Sequence, residues 1–352
     1  MSIELAEKLA DYIVKSKDPE MRWTWGQGIM GAALSDLDDY LGTNKYLPFL
    51  QAFCDYYVKN EPEVASADTA APGFISYAVY SKTGKEEYKK LTDKVLDYIK
   101  NEPRVYKDAV NHLGKATVGK FYPKSIWVDS LMMFSVFPAR YAKQQGDSEL
   151  LEIAAKQPAL YADCMMDPCD HLWYHSFWVK KGRHYPNRKL YWARGNGWVV
   201  SALPKILDDI GDHPEKEKIV EVYQKTVEAV AKKQEASGGF RTLLGKKSTY
   251  LESSAAALIA DGIFHGVRSG YIGEEYLPVA EKAYEFAVSC VKTKANGAVL
   301  FTKISGPTIP LPVLPFCGYA CILRCANLTY GVAAFLWASI ERDKLVREGK
   351  LK

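Results

Sequence analysis

The stretch Tyr191-Trp192-Ala193-Arg194-Gly195-Asn196-Gly197-Trp198 decides between two fold classes. Read as an Asn-Gly turn it would close a β-hairpin, and apolar residues would alternate with period two on both sides. Instead Trp198, Leu203, Ile206, Leu207 and Ile210 recur at helical spacing, so the stretch reads as a loop opening into a helix, with Asn196 near its N-cap. The same residues suggest a ligand. A guanidinium forks onto a carboxylate, aromatic faces cover sugar C–H surfaces, and a helix N-terminus tolerates an anion. An acidic sugar uses all three.

Working outward, helical segments end at a glycine and restart after a short polar turn, at Gly42, Gly84, Gly146, Gly211 and Gly273. The steps between them are 42, 62, 65 and 62 residues. Each glycine stands where a helix C′ residue belongs, and an acidic residue after it favours the next N-terminus. Long amphipathic stretches lie between, such as 46–58, 88–99, 219–234 and 277–291. Strand-like alternation is scarce, so the expected class is all-α. The number of landmarks predicts one closed toroid of about six helical hairpins, an (α/α)6 barrel, over residues 1–352. Loops at one end would surround a pocket.

Composition excludes several functions. A net charge of +4 over 352 residues, with no basic stripe, argues against nucleic-acid binding. The runs 126–137 and 315–340 are too short or too interrupted to cross a membrane. Residues 1–14 read as an amphipathic helix, not a secretory leader, and with seven cysteines this predicts reduced thiols and a cytoplasmic location. Cys317, Cys321 and Cys325 fall at i, i+4 and i+8, which predicts packing along one helix face.

Asp129 is the sharpest single candidate. No other formal charge occurs from Ile126 to Phe137, so desolvation is expected to raise its pKa, as a general acid requires. A buried Asp bonded to a backbone amide is the plainer alternative. Asp68 precedes the helix expected at 74–80 and reads as a turn or N-cap residue. His171 and His175 share i, i+4 spacing, but Leu172 stands where a zincin needs Glu. A hydrogen-bonding His175 beside Trp173, Tyr174 and Trp178 is therefore preferred to a metal ligand. Trp23-Thr24-Trp25-Gly26-Gln27-Gly28, ahead of a helix expected from about Ile29, either lines the pocket mouth or packs helices. Asp36, Asp38 and Asp39 read as a solvated helix end, and Glu252 precedes the apolar helix 255–264.

Taken together, Tyr191–Trp198, Tyr122-Pro-x-x-x-Trp-x-Asp129, Trp173-Tyr-His175, Tyr250-Leu-Glu-Ser-Ser254, Asp68-Thr-Ala-Ala-Pro-Gly73 and Tyr330-Gly-Val-Ala-Ala-Phe-Leu336 resemble the unsaturated rhamnogalacturonyl hydrolases of glycoside hydrolase family 105. These are related to the unsaturated glucuronyl hydrolases. The resemblance implies an (α/α)6 barrel that hydrates the C4=C5 double bond of a 4,5-unsaturated uronic acid left by a polysaccharide lyase. Asp129 would give a proton to C4 and take one from the water adding at C5. Asp68 would hold the water or ring hydroxyls. His175, Trp192, Arg194, Trp198, Trp25 and Tyr122 would bind the sugar, Arg194 gripping its carboxylate. No metal or cofactor is implied. The chain departs from the family pattern at Val118, where a histidine is expected, and the nearest histidine is His112. The proline-rich segment 305–315 matches no named pattern. Rhamnose, another neutral sugar and a sulfated one all fit as leaving group. A conventional glycosidase or epimerase on the same barrel, or a sugar-binding protein without catalysis, are the alternatives.

Overall fold

The computed structural model of the protein describes residues 2–352, the side chains of Ser2 and Val118 excepted, so the replaced family histidine lies outside the described side chains. Twelve helices of ten or more residues follow in sequence among the described residues: α1 (Ser2–Ser16), α2 (Trp25–Leu41), α3 (Leu47–Lys59), α4 (Gly73–Thr83), α5 (Glu86–Asn101), α6 (Val136–Gln145), α7 (Ser148–Met165), α8 (Ala193–Ile210), α9 (Lys216–Ala231), α10 (Ser253–Arg268), α11 (Leu277–Ser289) and α12 (Thr329–Arg347). The even-numbered helices each touch the next even-numbered one, and α12 returns to α2, closing an inner ring of six. Each odd-numbered helix packs outside, α1 on α12, α3 and α5 on α4, α7 on α6, α9 on α8 and α11 on α10. This is the (α/α)6 barrel.

The core follows from amphipathicity on both rings. On α8, Trp198, Leu203, Ile206 and Leu207 are all buried, each contributing about 1.5–3 kcal/mol relative to exposure. The inner helices approach closely: a Cβ on Gly262 of α10 would lie 2.1 Å from the Val200 carbonyl oxygen of α8. No helix among the described residues is long and apolar enough to cross a membrane.

All six inner helices run the same way. Trp25 stacks on Tyr330 near the starts of α2 and α12, while Asp36 accepts from Trp337 further along the same pair. The two ends therefore differ. Connections at the C-terminal end of the inner ring are tight, and Gly42, Gly84 and Gly146 take the left-handed conformation there. Gly211 also has positive φ. Gly273 does not: α10 stops at Arg268, the left-handed residue is Gly270, and Gly273 opens the next turn. Connections at the N-terminal end are long, at 60–72, 102–135, 166–192, 232–252 and 290–328.

The short strands belong to these long connections. β1 (Ser125–Trp127), β2 (Ser176–Trp178) and β3 (Arg183–Tyr185) form an antiparallel sheet with Trp127 opposite Ser176 and Ser176 opposite Tyr185. Ile304–Ser305 pairs with Arg324–Cys325 and starts the segment over the barrel mouth.

Several expectations change in three dimensions. Asp38 is not solvated. It is buried and accepts from Thr43 Oγ1 and from the backbone amides of Lys45, Tyr46 and Leu47, organising the turn into α3. Asp36 pairs with Arg140. The opposite end of the barrel thus carries a network of ion pairs, including Lys205–Asp261 at 2.6 Å and Arg268–Glu341 at 2.7 Å. Arg268 lies in the last turn of α10, where a cation suits the helix C-terminus. Cys317 and Cys321 are exposed and Cys325 is half-buried, because the helix there spans only Cys317–Ala320. They do not pack into a core.

Candidate active site

Asp129 follows directly on β1. The Val128 amide donates to the His175 carbonyl at 3.0 Å, tying the two segments together. A single turn of π-helix, Leu131–Ser135, then leads into α6. Such turns cluster where a side chain must be aimed. Asp68 sits on a separate short turn, Ala67–Ala70, capped reciprocally by Ser66 and Thr69. Asp68 is therefore inside the turn and Ser66 is its cap.

The two aspartates meet at the mouth of the inner ring, with two histidines around them. His175 Nε2 lies 3.2 Å from Asp129 Oδ2. The hydrogen does not line up between them, and both atoms keep an unused bonding direction. His112 Nε2 lies 3.5 Å from Asp68 Oδ1, and its Nδ1 is 2.8 Å from Ser130 Oγ. Trp127 separates the histidines, stacked on His112 and edge-on to His175.

The electrostatics reverse the expected assignment. Burial pushes the Asp129 carboxyl up, but contact with His175 and the charges of His175, His112 and Arg194 hold it below the usual range. Asp129 is the charged partner. Asp68 is the partner that holds a proton more readily, pushed up to about 7 by burial and by the negative charge of Asp129. Local sequence misleads here because it shows the burial of Asp129 but not the groups that reach it from other segments. Burial lowers both imidazoles, His112 to about 4, while the Asp129 carboxylate pulls each the other way. About 30% of the Asp68 side chain and 12% of the Asp129 side chain remain reachable by solvent, so the pair opens onto the cleft.

Aromatic rings form the wall. Trp192 stacks on His175 at 4.3 Å. Tyr319, from the segment over the mouth, places its hydroxyl 3.0 Å from His175 Nδ1. Trp192, not Asn196, occupies the N-cap of α8. The Asn196 side chain instead staples the helix start to the 166–192 connection, accepting from the Trp173 amide and donating to the Trp173 and Trp192 carbonyls. That bond set fixes the segment carrying His175. Trp25 begins α2 four residues before the expected start and is half-buried. Trp198 is fully buried beneath it, edge-on at 6.4 Å, in the helix-packing layer.

Arg194 lies in the first turn of α8 and is 1% exposed. Its guanidinium is sandwiched between Trp192 and Tyr330 at 4.6 and 4.7 Å. Nη1 donates to the Ser305 carbonyl at 2.6 Å and Nη2 to the Gly306 carbonyl at 2.9 Å, with Glu252 3.5 Å away. The fork expected to grip a substrate carboxylate is occupied by the chain's own 305–306 segment; only Nε is without a partner. Glu252 is the N-cap of α10, accepting from the Ala255 amide and the Ser254 hydroxyl. Tyr122 donates to the Pro310 carbonyl and Tyr185 to the Leu311 carbonyl, both at 2.6 Å. The proline-rich segment 305–315 is thereby strapped across the cleft.

The structure thus clusters Asp68, Asp129, His175, Trp192 and Tyr122 at the mouth of the inner ring, with Asp68 and Asp129 reachable by solvent, and buries Arg194 and Trp198 behind them. His112 and Tyr319 were not singled out. His112 carried one signal, as the histidine nearest the vacant family position; Tyr319 carried none. His171 lies away from the site, on a charged surface hollow with Cys169, Asp170 and Glu228. Among the described residues no group of three or more His, Cys, Asp or Glu is placed to hold a metal ion.

The six inner-helix N-termini point at this cleft, and their partial positive charge favours an anionic ligand.

Known proteins agree with this architecture. The profile described as Glycosyl Hydrolase Family 88 matches residues 3–346. The unsaturated rhamnogalacturonyl hydrolase YesR of Bacillus subtilis is 25% identical over 277 residues, covering 78% of this chain and 79% of that protein. An unsaturated 3S-rhamnoglycuronyl hydrolase of Alteromonas sp. is 26% identical over 202 residues, 55% of this chain and 49% of the relative. Among solved structures, a family 105 glycoside hydrolase from C. acetobutylicum superposes with a TM-score of 0.86 at 23% identity, covering 97% of this chain and 99% of that one. The unsaturated glucuronyl hydrolase of Bacillus sp. GL1 gives 0.74 at 14% identity, covering 97% and 96%. With its twelve-helix barrel and a profile match over nearly its whole length, the chain belongs to glycosyl hydrolase family 88.

Proposed function

We propose that this enzyme releases a 4,5-unsaturated uronic acid from lyase-generated disaccharides by hydrating the C4=C5 bond. The observation that carries the reading is the carboxyl pair at the barrel mouth, Asp68 pushed toward its protonated form and Asp129 toward its charged one. Vinyl-ether hydration needs a proton for C4 and a base for the water that adds to C5. One proton shared by two carboxyls meets both needs. The pair delivers its proton to C4 from the protonated side, and the charged Asp129 takes a proton from water as its oxygen bonds to C5. The resulting C5 hemiketal opens to a ketone, the ring oxygen gains a hydrogen, and the hemiacetal at C1 expels the neighbouring sugar as an alcohol. Water is consumed and the proton returns to the pair.

Trp25, half-buried at the start of α2, supplies an aromatic face and the helix N-termini the attraction for the uronate, while Trp192, Trp127, His175 and Tyr319 are buried and back the carboxyl pair. The names of the relatives support an unsaturated uronide joined to a rhamnose-type sugar, and pectin breakdown is the setting proposed for it. Seven free thiols suit a reducing cytoplasm. A net charge of +4 without a basic stripe leaves nucleic acid out as a partner.

The test is a panel of unsaturated disaccharides, following the ultraviolet absorbance of the conjugated alkene. Loss of absorbance together with release of the second sugar is expected. Sugar release with absorbance unchanged would make this a conventional glycosidase. Asp129→Asn should keep ligand binding and lower kcat by about 10²–10⁴-fold; undiminished turnover would remove Asp129 from the mechanism.

A further inference from the structure

We infer that His112 is a positioning residue that locks the two catalytic segments together and holds the Asp68 carboxyl in place; the inference rests on the carboxyl-pair reading above. Asp68 and Asp129 come from separate connections, 61 positions apart, and nothing covalent fixes their relation. His112 bridges them twice. Its backbone carbonyl accepts from the Ala67 amide at 3.0 Å and its own amide donates to the Ser125 carbonyl at 2.9 Å, joining the Asp68 turn to β1. Its ring repeats the link at side-chain level, with Nδ1 2.8 Å from the hydroxyl of Ser130, next to Asp129, and Nε2 3.5 Å from Asp68 Oδ1. The ring has no freedom of its own. It is 2% exposed and lies 4.4 Å from Trp127 with planes 13° apart.

The groups around this imidazole are Asp68 from the 67–70 turn, Asp129 after β1 and His175 before β2, with Arg194 of α8 beyond Asp129. Among the described residues His112 is the one basic side chain within ion-pair distance of Asp68. A free carboxylic acid rotates about two side-chain torsions, and a misplacement of about 1 Å costs about 10²-fold in rate. An imidazole held by a stacked indole and a hydroxyl removes that freedom.

The experiment compares His112→Phe, which keeps a flat ring on Trp127, with His112→Gln, whose amide reaches toward Asp68. Turnover of an unsaturated disaccharide is measured from pH 4 to 9. For His112→Phe the expected result is a fall in kcat of about 10²-fold with KM changed less than about threefold. The pH limb belonging to Asp68 should shift by about half a unit or more, and His112→Gln should regain about tenfold of the loss. A fall in activity equal at every pH, or kcat within twofold of wild type, overturns the assignment. The protonated-carboxyl stretch of Asp68, followed by infrared titration of the same variants without substrate, separates the two readings. If wild type turns over no unsaturated uronide but this stretch titrates differently in His112→Phe, the substrate reading fails and the positioning role stands. An unchanged stretch overturns the positioning role whatever the substrate.

Discussion

Replacing Arg194 by Met tests whether its guanidinium works as an internal clasp. Met retains most of the volume between Trp192 and Tyr330, so no large cavity opens. What disappears is the cation 3.5 Å from Glu252, a carboxylate with no solvent exposure. Breaking a buried pair by removing one partner costs about 3–5 kcal/mol. The low end applies here. The Ser305 carbonyl still accepts from Tyr330 at 2.7 Å and the Gly306 carbonyl from Thr308 at 2.9 Å, so neither is orphaned. Glu252 also retains the Ser305 amide at 3.1 Å. A loss of about 3 kcal/mol, at a urea slope of about 3 kcal/mol/M, lowers the unfolding midpoint by about 1 M. Adding Glu252→Gln removes the stranded charge and should recover about half of that loss. Tryptophan fluorescence and far-ultraviolet circular dichroism across a urea series report both numbers. A midpoint change below about 0.2 M for Arg194→Met, with binding lost for acidic sugars alone, would refute the clasp and restore the substrate fork.

Asp68→Asn should abolish turnover yet stabilise the fold at high pH. The wild-type carboxyl titrates near 7 when folded against an ordinary 3.8, so the folded state holds the extra proton between those values and stability falls as pH rises through them. Discounted for the water that reaches it, the advantage of Asn over wild type should grow by about 2 kcal/mol from pH 4 to pH 8; an advantage independent of pH would contradict a neutral Asp68. A chromogenic disulfide reagent should titrate Cys169, Cys317 and Cys321 rapidly in the folded protein, Cys325 more slowly, and Cys54, Cys164 and Cys290 only after unfolding. Protection of Cys317 and Cys321 would return them to the core.

The barrel was legible because its signals are local. Helix-terminating glycines and the periodicity after Trp198 each lie within a few turns of chain, and five such landmarks imply a closed ring of about six hairpins. Gly273 misled by three residues because Gly270 had already ended the helix. The candidate site was legible as a set of residues but not as a circuit. Asp129 stood out from its apolar surroundings, yet its charge state is set by His175 and Arg194, 46 and 65 positions away. Arg194 carried the right chemistry for an anion, but its occupants, the carbonyls of residues 305 and 306, come from the last connection. Asp38 appeared solvated because nothing in its own helix shows the three amides it receives from the next turn.

The unequal connections have a consequence for how such an enzyme diversifies. At one rim, links such as Gly84–Lys85 and Gly146–Asp147 span two residues, so inserting there would change the pitch between neighbouring staves. At the other rim, links of up to 39 residues already meander, and lengthening them leaves the staves undisturbed. The 290–328 connection can therefore vary in length while the carboxyl pair, seated on 67–70 and 125–135, stays where it is.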